Sequence, residues 1–166
     1  MSGKPEAHSS EWGTPRWLFK ELDAEFHFMF DAACTELNEK VGGGPVLGTN
    51  YRHEQGWDGL SEDWQGQAEG ASVFLNPPYD RSIKRWVRKA LLESLKGATV
   101  VCVLPVRTST RWWHEYVLRA NEIRFLPKRV RFEYKGKPQG SPREDTAIVI
   151  FRGLEQPFEV KDGPEK

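Results

Sequence analysis

Apolar residues fall into short runs along this chain, and the runs alternate between helix-like and strand-like spacing. Thr14-Pro15 ahead of Arg16-Trp17-Leu18-Phe19-Lys20-Glu21-Leu22 predicts a helix start, with Thr14 as N-cap and Pro15 at the first helical position, where a missing N–H costs nothing. Phe26 to Phe30 (FHFMF) is a β-prone run ending at Asp31, and Gly42-Gly43-Gly44-Pro45 marks a loop. Ser72 to Leu75 (SVFL) predicts another strand, halted by Asn76-Pro77-Pro78-Tyr79. From Arg81 to Lys96, the residues Ile83, Trp86, Val87, Ala90, Leu91 and Leu95 recur near helical spacing and predict an amphipathic helix. Thr99 to Leu104 (TVVCVL) is continuously apolar, as a strand covered on both faces must be. Trp112 to Ala120 reads as helical, Glu122 to Leu126 and Val130 to Tyr134 as extended, and Ala147 to Phe151 (AIVIF) as a final buried strand.

Strands alternating with helices predict an α/β fold, its sheet mostly parallel with a C-terminal antiparallel element. Ligands of such sheets lie at the carboxyl ends of the strands, where Asp31 and Asn76 both fall. Residues 1–10 and 156–166 are polar and read as flexible tails around one domain over 11–155. With 166 residues, 38% hydrophobic, and 7 Trp, the chain can build a single core. No run approaches the roughly 20 apolar residues of a membrane span, and the first residues lack an apolar signal core, so a soluble cytoplasmic protein is expected, without a membrane partner. Cys34 and Cys102 stand far apart with no metal-ligand spacing; two buried reduced thiols and no metal are expected. Nothing in the pattern sets the oligomeric state, and a monomer suffices.

A net charge of +0 argues against a polyanionic partner until its distribution is considered. Residues 1–75 carry 5 Lys/Arg and 13 Asp/Glu, whereas 76–166 carry 19 and 11. A cationic second half suits a nucleic acid, because each neutralised phosphate releases a counterion; solvated faces paired with the acidic half explain it equally well.

Asn76-Pro77-Pro78-Tyr79, at the end of an apolar strand and before a helix, carries the most specific chemistry. An aromatic amine such as adenine N6 is a poor nucleophile because its lone pair is delocalised into the ring. Two acceptors on its hydrogens draw the nitrogen toward sp³ and expose that pair to a methyl donor. The Asn76 side-chain oxygen and the Pro77 carbonyl could supply them. Pro77 and Pro78 stiffen the turn so that the acceptors are aimed in advance, and Tyr79 offers a face on which a flipped base can stack. The plainer alternative is a proline-rich turn that only ends a strand.

The tetrapeptide matches the (D/N/S)PP(Y/F) motif of amino-methyltransferases, and its surroundings resemble the phage-type Dam family of DNA N6-adenine methyltransferases. The matching pieces are Glu11-Trp12-Gly13-Thr14-Pro15, Phe30-Asp31-Ala32-Ala33, and Trp57-Asp58-Gly59-Leu60 with Trp64. After Asn76-Pro77-Pro78-Tyr79 follow Leu104-Pro105-Val106-Arg107-Thr108-Ser109-Thr110 with Trp113-His114, then Lys128-Arg129-Val130-Arg131-Phe132. The resemblance spans about residues 11–152 and implies a Rossmann-like fold using S-adenosylmethionine to methylate adenine in DNA. It further implies that Trp12, Thr14 and Pro15 contact the cofactor's methionine end and that Asp31, Ala32 and Ala33 form the first cofactor loop. Asp58 and Leu60 would hold the cofactor adenine. The usual glycine-rich loop after the first strand is absent, replaced by Asp31-Ala32-Ala33-Cys34-Thr35. Small alanines still admit a cofactor, and an aspartate can bind its ammonium. The acid expected on the ribose hydroxyls is not identifiable; Asn50, Glu54 and Asp58 are all candidates.

The bland readings stay beside these. Asp31 is equally a strand-end cap, Trp57-Asp58-Gly59 a plain turn, and Thr14-Pro15 a helix start. His27, His53 and His114 read as surface or core residues, since the chemistry asks for no imidazole. Burial in helices accounts for Trp17, Trp86, Trp112 and Trp113, and Phe132 is a candidate second face for a flipped base. Arg81, Lys84, Arg85 and Arg88 fit a solvent face. Arg81, Arg107, Arg111, Arg129 and Arg131, with Lys135, Lys137 and Arg143 around a Gly/Pro-rich loop, are the candidate DNA contacts. Rival functions are methylation of an RNA base or a protein glutamine in the same pocket, and an inactive DNA-binding module.

Overall fold

A computed structural model describes residues 12–34, 59–64, 66, 72–140 and 143–153. The two tails, the Gly42–Pro45 loop, and Glu11, Asn50, His53, Glu54, Trp57 and Asp58 lie outside the described residues.

The first helix, α1 (Arg16–Phe26), buries Leu18, Phe19, Leu22 and Phe26, a stripe that closes on one face at helical spacing. Two expectations shift here. Pro15, extended at φ −62° and ψ 143°, is the N-cap, and no side chain caps this end; Thr14 lies one residue too far upstream. Phe26 is helical, and the chain turns at His27, whose φ of 53° lets its N–H donate to the Asp23 carbonyl at 2.9 Å. The Asp23 carboxylate then accepts from the Phe28 N–H at 2.9 Å, starting β1 (Phe28–Asp31). Trp17, one position off the buried stripe, is 57% exposed and does not join the core.

β2 (Ser72–Leu75), α2 (Ile83–Leu95) and β3 (Thr99–Pro105) follow as expected. The stretch expected to be one helix after Trp112 divides into a short α3 (Arg111–Glu115) and a 3₁₀ turn (Val117–Arg119). β4 (Glu122–Phe125), β5 (Glu133–Tyr134), β6 (Lys137–Pro138) and β7 (Thr146–Phe151) complete the described elements. Only the last two residues of the Val130–Tyr134 run form a strand; Val130 itself is buried in the core.

Five strands make a mixed sheet in the order β1-β2-β3-β7-β4. β1, β2 and β3 pair in parallel, while β7 runs antiparallel to both β3 and β4. Alternate strand residues face opposite ways, which produces two cores. On one side α1 covers Phe28, Phe74, Val101, Val103, Ile148 and Ile150. On the other, α2 and α3 cover a second set that includes Val73, Leu75, Val100, Cys102 and Leu104. Burying each such side chain contributes about 1.5–3 kcal/mol, so the sheet is a rigid platform for what its strand ends carry. Cys34 and Cys102 are both buried and outside any disulfide, the Cys34 thiol donating to the Asp31 carbonyl at 3.4 Å, and burial pushes the Cys102 thiol well up. Among the described residues, no helix is long and apolar enough to cross a membrane.

The far edge of the sheet is tied to α1 by charge. Arg124 on β4 donates twice to Glu25 at 2.7 Å each and once to Glu122 at 2.6 Å, and Arg152 reaches Glu122 at 2.8 Å. Both guanidinium groups lie over the Phe26 ring at 5.6 Å. Hydrogen bonds from Arg124 hold Glu25 and Glu122 below the ordinary 4.5. A depressed carboxylate stabilises the fold above its unfolded pKa and loses that contribution as pH falls through the lowered folded value. Arg124→Ala should therefore lower the melting temperature at pH 7. The deficit should shrink in acid below the carboxylate range and in 1 M salt, which thermal melts at matched pH and salt will read.

Candidate active site

The carboxyl ends of β1 and β2 lie side by side, with Asp31 paired to Phe74 and the Ala32 N–H donating to the Phe74 carbonyl at 2.9 Å. At this point the chain leaves both strands and a small, open pocket forms, lined by Gly13, Thr14, Asp31, Ala33, Phe74 and Asn76. Four of these, Thr14, Asp31, Ala33 and Asn76, are sequence-predicted site residues drawn from three separate segments. Asp31 is 4% exposed, and its carboxylate accepts from the Ala33 N–H at 3.3 Å, curling the loop back under the strand end. Ala32 and Ala33 are both buried, and Ala33 lines the pocket.

The wall opposite is made by the segment before α1. Gly13 forms a two-way backbone bridge with Glu133, its N–H donating at 2.6 Å and its carbonyl accepting at 2.9 Å. Thr14 is 1% exposed, and its Oγ1, like the Trp12 Nε1, is buried without a hydrogen-bond partner among the described residues. Such atoms cost about 1–3 kcal/mol when left unpaired, so their presence beside a pocket is what a polar ligand would explain. Pro15 is buried and starts α1 without touching this account further.

Leu60 sits in a second approach to the same loop. Gly59 packs so tightly that a Cβ there would stand 2.2 Å from the Ala32 carbonyl oxygen and 2.9 Å from the Trp86 ring. The buried Trp64 stacks on Trp86 at 6.3 Å and donates its Nε1–H to the Gly59 carbonyl at 2.7 Å. The two indoles thus hold Gly59 and Leu60 against the Asp31 loop.

Asn76 is half-buried at the pocket edge, Pro77 is buried, and Pro78 and Tyr79 are partly covered. The Tyr79 hydroxyl donates to the Val103 carbonyl at 2.9 Å. Burial first, then the nearby Glu144 carboxylate, push this phenol well up, against the opposing influence of Arg107. Tyr79 is therefore a donor and not a base. Phe132 meets the Tyr79 ring edge to face at 5.6 Å between centroids. It props that ring and does not face it across a gap one base thick, as a second stacking face would. His114 is occupied by the Thr108 carbonyl at 2.6 Å, and His27 is exposed at the helix end.

The candidate DNA contacts divide. Arg107 is bonded to Glu144, Arg111 to Glu115 and Arg129 to Asp145. Arg81, Arg131, Lys137 and Arg143 are exposed, as is Lys135, which lies over the Tyr134 ring at 5.3 Å. Lys135 and Gly136, at φ 49° and 72°, form the two-residue turn of the β5–β6 hairpin. Lys84, Arg85 and Arg88 occupy the solvent face of α2. Among the described residues, no group of three or more His, Cys, Asp or Glu could hold a metal ion.

Gly13, Phe74, Glu133 and Glu144 were not singled out from sequence. Gly13 and Glu133 meet through main-chain atoms 120 positions apart, which no side-chain pattern signals.

A family model described as DNA N-6-adenine-methyltransferase (Dam) matches residues 1–162. The chain is also similar to the DNA N-6-adenine-methyltransferase of Haemophilus phage HP1 (strain HP1c1), 32% identical over 118 residues that make up 69% of this chain. The match spans 61% of that relative's length. With the family model matching nearly the whole chain, the chain belongs to the DNA N-6-adenine-methyltransferase (Dam) family.

Proposed function

We propose that this chain transfers a methyl group from S-adenosylmethionine to N6 of an adenine flipped out of DNA, using one domain over 11–155 with a Rossmann-like sheet. The observation that carries the reading is the meeting of Asn76 with Thr14, Asp31 and Ala33 around one pocket at two adjacent parallel strand ends. Supporting the sheet assignment, β4 runs in the same sense as β1 to β3, and β7 alone is reversed.

The residues present fit the cofactor. Unpartnered Thr14 Oγ1 and Trp12 Nε1 offer a hydroxyl and a donor to its methionine end, and the Asp31 carboxylate suits an ammonium. Small Ala32 and Ala33 let it approach the strand end, while Leu60 and Asp58 would hold its adenine. S-adenosylmethionine supplies an activated methyl group. The Asn76 side-chain oxygen and Pro77 carbonyl accept from the two N6 hydrogens and free the nitrogen lone pair. Tyr79, fixed at its hydroxyl, stacks on the base and helps offset the cost of unstacking it. No base is needed in the first step, because the methylated nitrogen carries an acidic proton that passes to water. Arg81, Arg111, Arg129, Arg131, Lys135, Lys137 and Arg143 would contact the duplex, the hairpin lysines at the groove or phosphates.

The experiment is methyl transfer from labelled S-adenosylmethionine to unmethylated duplex DNA, with denatured DNA, RNA and glutamine-containing protein alongside. Label in DNA recovered as N6-methyladenine is the expected result; label only in RNA or protein would move the pocket to another substrate. Failure to bind the cofactor in calorimetry would favour an inactive module. A sharper check is Thr14→Val. Removing an unpaired buried hydroxyl should leave the ligand-free melting temperature unchanged or raised. Cofactor affinity measured by calorimetry should fall by about tenfold, the worth of one hydrogen bond.

A further inference from the structure

Arg107 projects from the loop after β3, where a cation at the rim of a DNA-binding site would be expected to stay open to phosphate. Instead its Nε donates to Glu144 Oε1 at 2.6 Å and its Nη2 to Oε2 at 2.9 Å, a two-pronged pairing of planar groups. The same Nη2 also donates to the main-chain carbonyl of Tyr79 at 3.4 Å. Its hydrogen bonds to Glu144 raise the guanidinium's already high pKa, so the charge is permanent. Glu144 is itself fixed, because the neighbouring Asp145 carbonyl accepts from the Val106 N–H at 2.9 Å and β7 begins at the next residue.

Tyr79 is consequently held at both ends. Its hydroxyl is tied to the Val103 carbonyl in β3, and its backbone carbonyl to Arg107. Phe132 closes on the edge of the ring. The turn that carries Asn76 and Pro77 ends at this residue, so whatever fixes the Tyr79 backbone also fixes where the turn aims. The three bonds from Arg107 use the Nε and Nη2 hydrogens and leave only the two on Nη1 for another acceptor.

Resting on the reading of Asn76–Tyr79 as the methyl-transfer pocket, we propose that Arg107 and Glu144 are positioning residues for that pocket: the Glu144-held guanidinium clamps the Tyr79 carbonyl and sets the turn in its working geometry. They touch neither base nor cofactor and act through Tyr79. Displacement of reacting groups by about 1 Å can cost roughly 100-fold in rate, so the clamp has a measurable consequence at saturating substrate.

The test compares Arg107→Ala, Arg107→Lys and Glu144→Gln with Arg152→Ala, which breaks an ion pair at the far sheet edge. The readouts are single-turnover methyl transfer at saturating duplex DNA, cofactor affinity by calorimetry, DNA affinity across a salt series, and melting temperature. The clamp predicts a rate loss of roughly 10- to 100-fold for Arg107→Ala. Glu144→Gln should lose less, Arg107→Lys should recover part of the rate through one remaining donor, and Arg152→Ala should keep the parental rate. Cofactor affinity should stay within about twofold throughout. A phosphate-contacting Arg107 predicts the opposite pattern. Arg107→Ala would then keep its rate at saturation but weaken DNA binding and reduce the salt slope by about 1. Glu144→Gln, releasing the cation, would tighten DNA binding; either of these results overturns the clamp. Asn76→Ala run in parallel separates the two levels: if it retains methyl transfer, the pocket assignment itself fails. If it abolishes transfer while Arg107→Ala does not slow it, only the clamp fails.

Discussion

Asn76→Ala is expected to abolish methyl transfer while leaving S-adenosylmethionine affinity within about twofold of the parent. The asymmetry follows from what the side chain is asked to do. On the proposed reading its oxygen accepts from the amino group of the base, an interaction that matters most as N6 becomes tetrahedral. Removing one preorganised group of this kind costs about 10²–10³ in rate in other enzymes, and here no second side chain on the turn can replace it, because Pro77 and Pro78 offer only carbonyls. Asn76 is half-buried at the pocket edge and Pro77 behind it is fully buried, so the turn itself should survive the truncation. Calorimetry with the cofactor and a labelled-methyl assay on duplex DNA read the two quantities separately. Lost cofactor binding would place Asn76 in the donor's site instead of the acceptor's.

The second large effect is expected at Gly59, which no chemical motif requires. A Cβ there would stand 2.2 Å from a backbone oxygen of the Asp31 loop and 2.9 Å from a buried indole. Neither neighbour is the loose end of a flexible side chain: Ala32 is 0% and Trp86 2% exposed. Gly59→Ala must therefore push the Gly59–Leu60 segment away from the loop or strain the Trp64–Trp86 stack that holds it. Overpacking of this sort costs about 1–3 kcal/mol, so the melting temperature should fall, and cofactor affinity should weaken by tenfold or more as Leu60 moves. The combined loss is the diagnostic, since Thr14→Val is expected to weaken the cofactor with no loss of melting temperature. Gly59→Ala with parental stability and affinity would mean that the loop and the Leu60 segment move independently.

What could be read ahead of the structure was whatever side-chain chemistry and periodicity encode. The SVFL and TVVCVL runs could only be buried strands, and Asn76-Pro77-Pro78-Tyr79 could only end one. Thr14, Asp31, Ala33 and Asn76 were named separately and lie around one pocket. The failures share another cause. Thr14 looked like a cap because Ser and Thr commonly are, yet Pro15 takes that place and leaves the Thr14 hydroxyl buried. The FHFMF run looked like one strand because all four of its aromatic and sulfur-bearing residues are apolar. His27 at positive φ divides it between helix and strand. Arg107 was grouped with the candidate DNA contacts, and a sequence does not show that Glu144, 37 positions on, returns to meet it. Long-range pairing, whether by main chain or by charge, is the part a linear pattern withholds.

The join between Gly13 and Glu133 is made by main-chain atoms alone. A backbone ladder is indifferent to the identity of the side chains beyond it, so Tyr134 and Lys137 can be varied without editing the pocket wall, whereas Lys135 and Gly136 hold the positive φ that the turn requires. Glu133→Pro is the change that would break the join, because proline lacks the N–H that donates to the Gly13 carbonyl. On the proposed reading, in which the hairpin lysines meet DNA, the hairpin and the pocket wall share a main-chain join that side-chain changes at the tip do not remove.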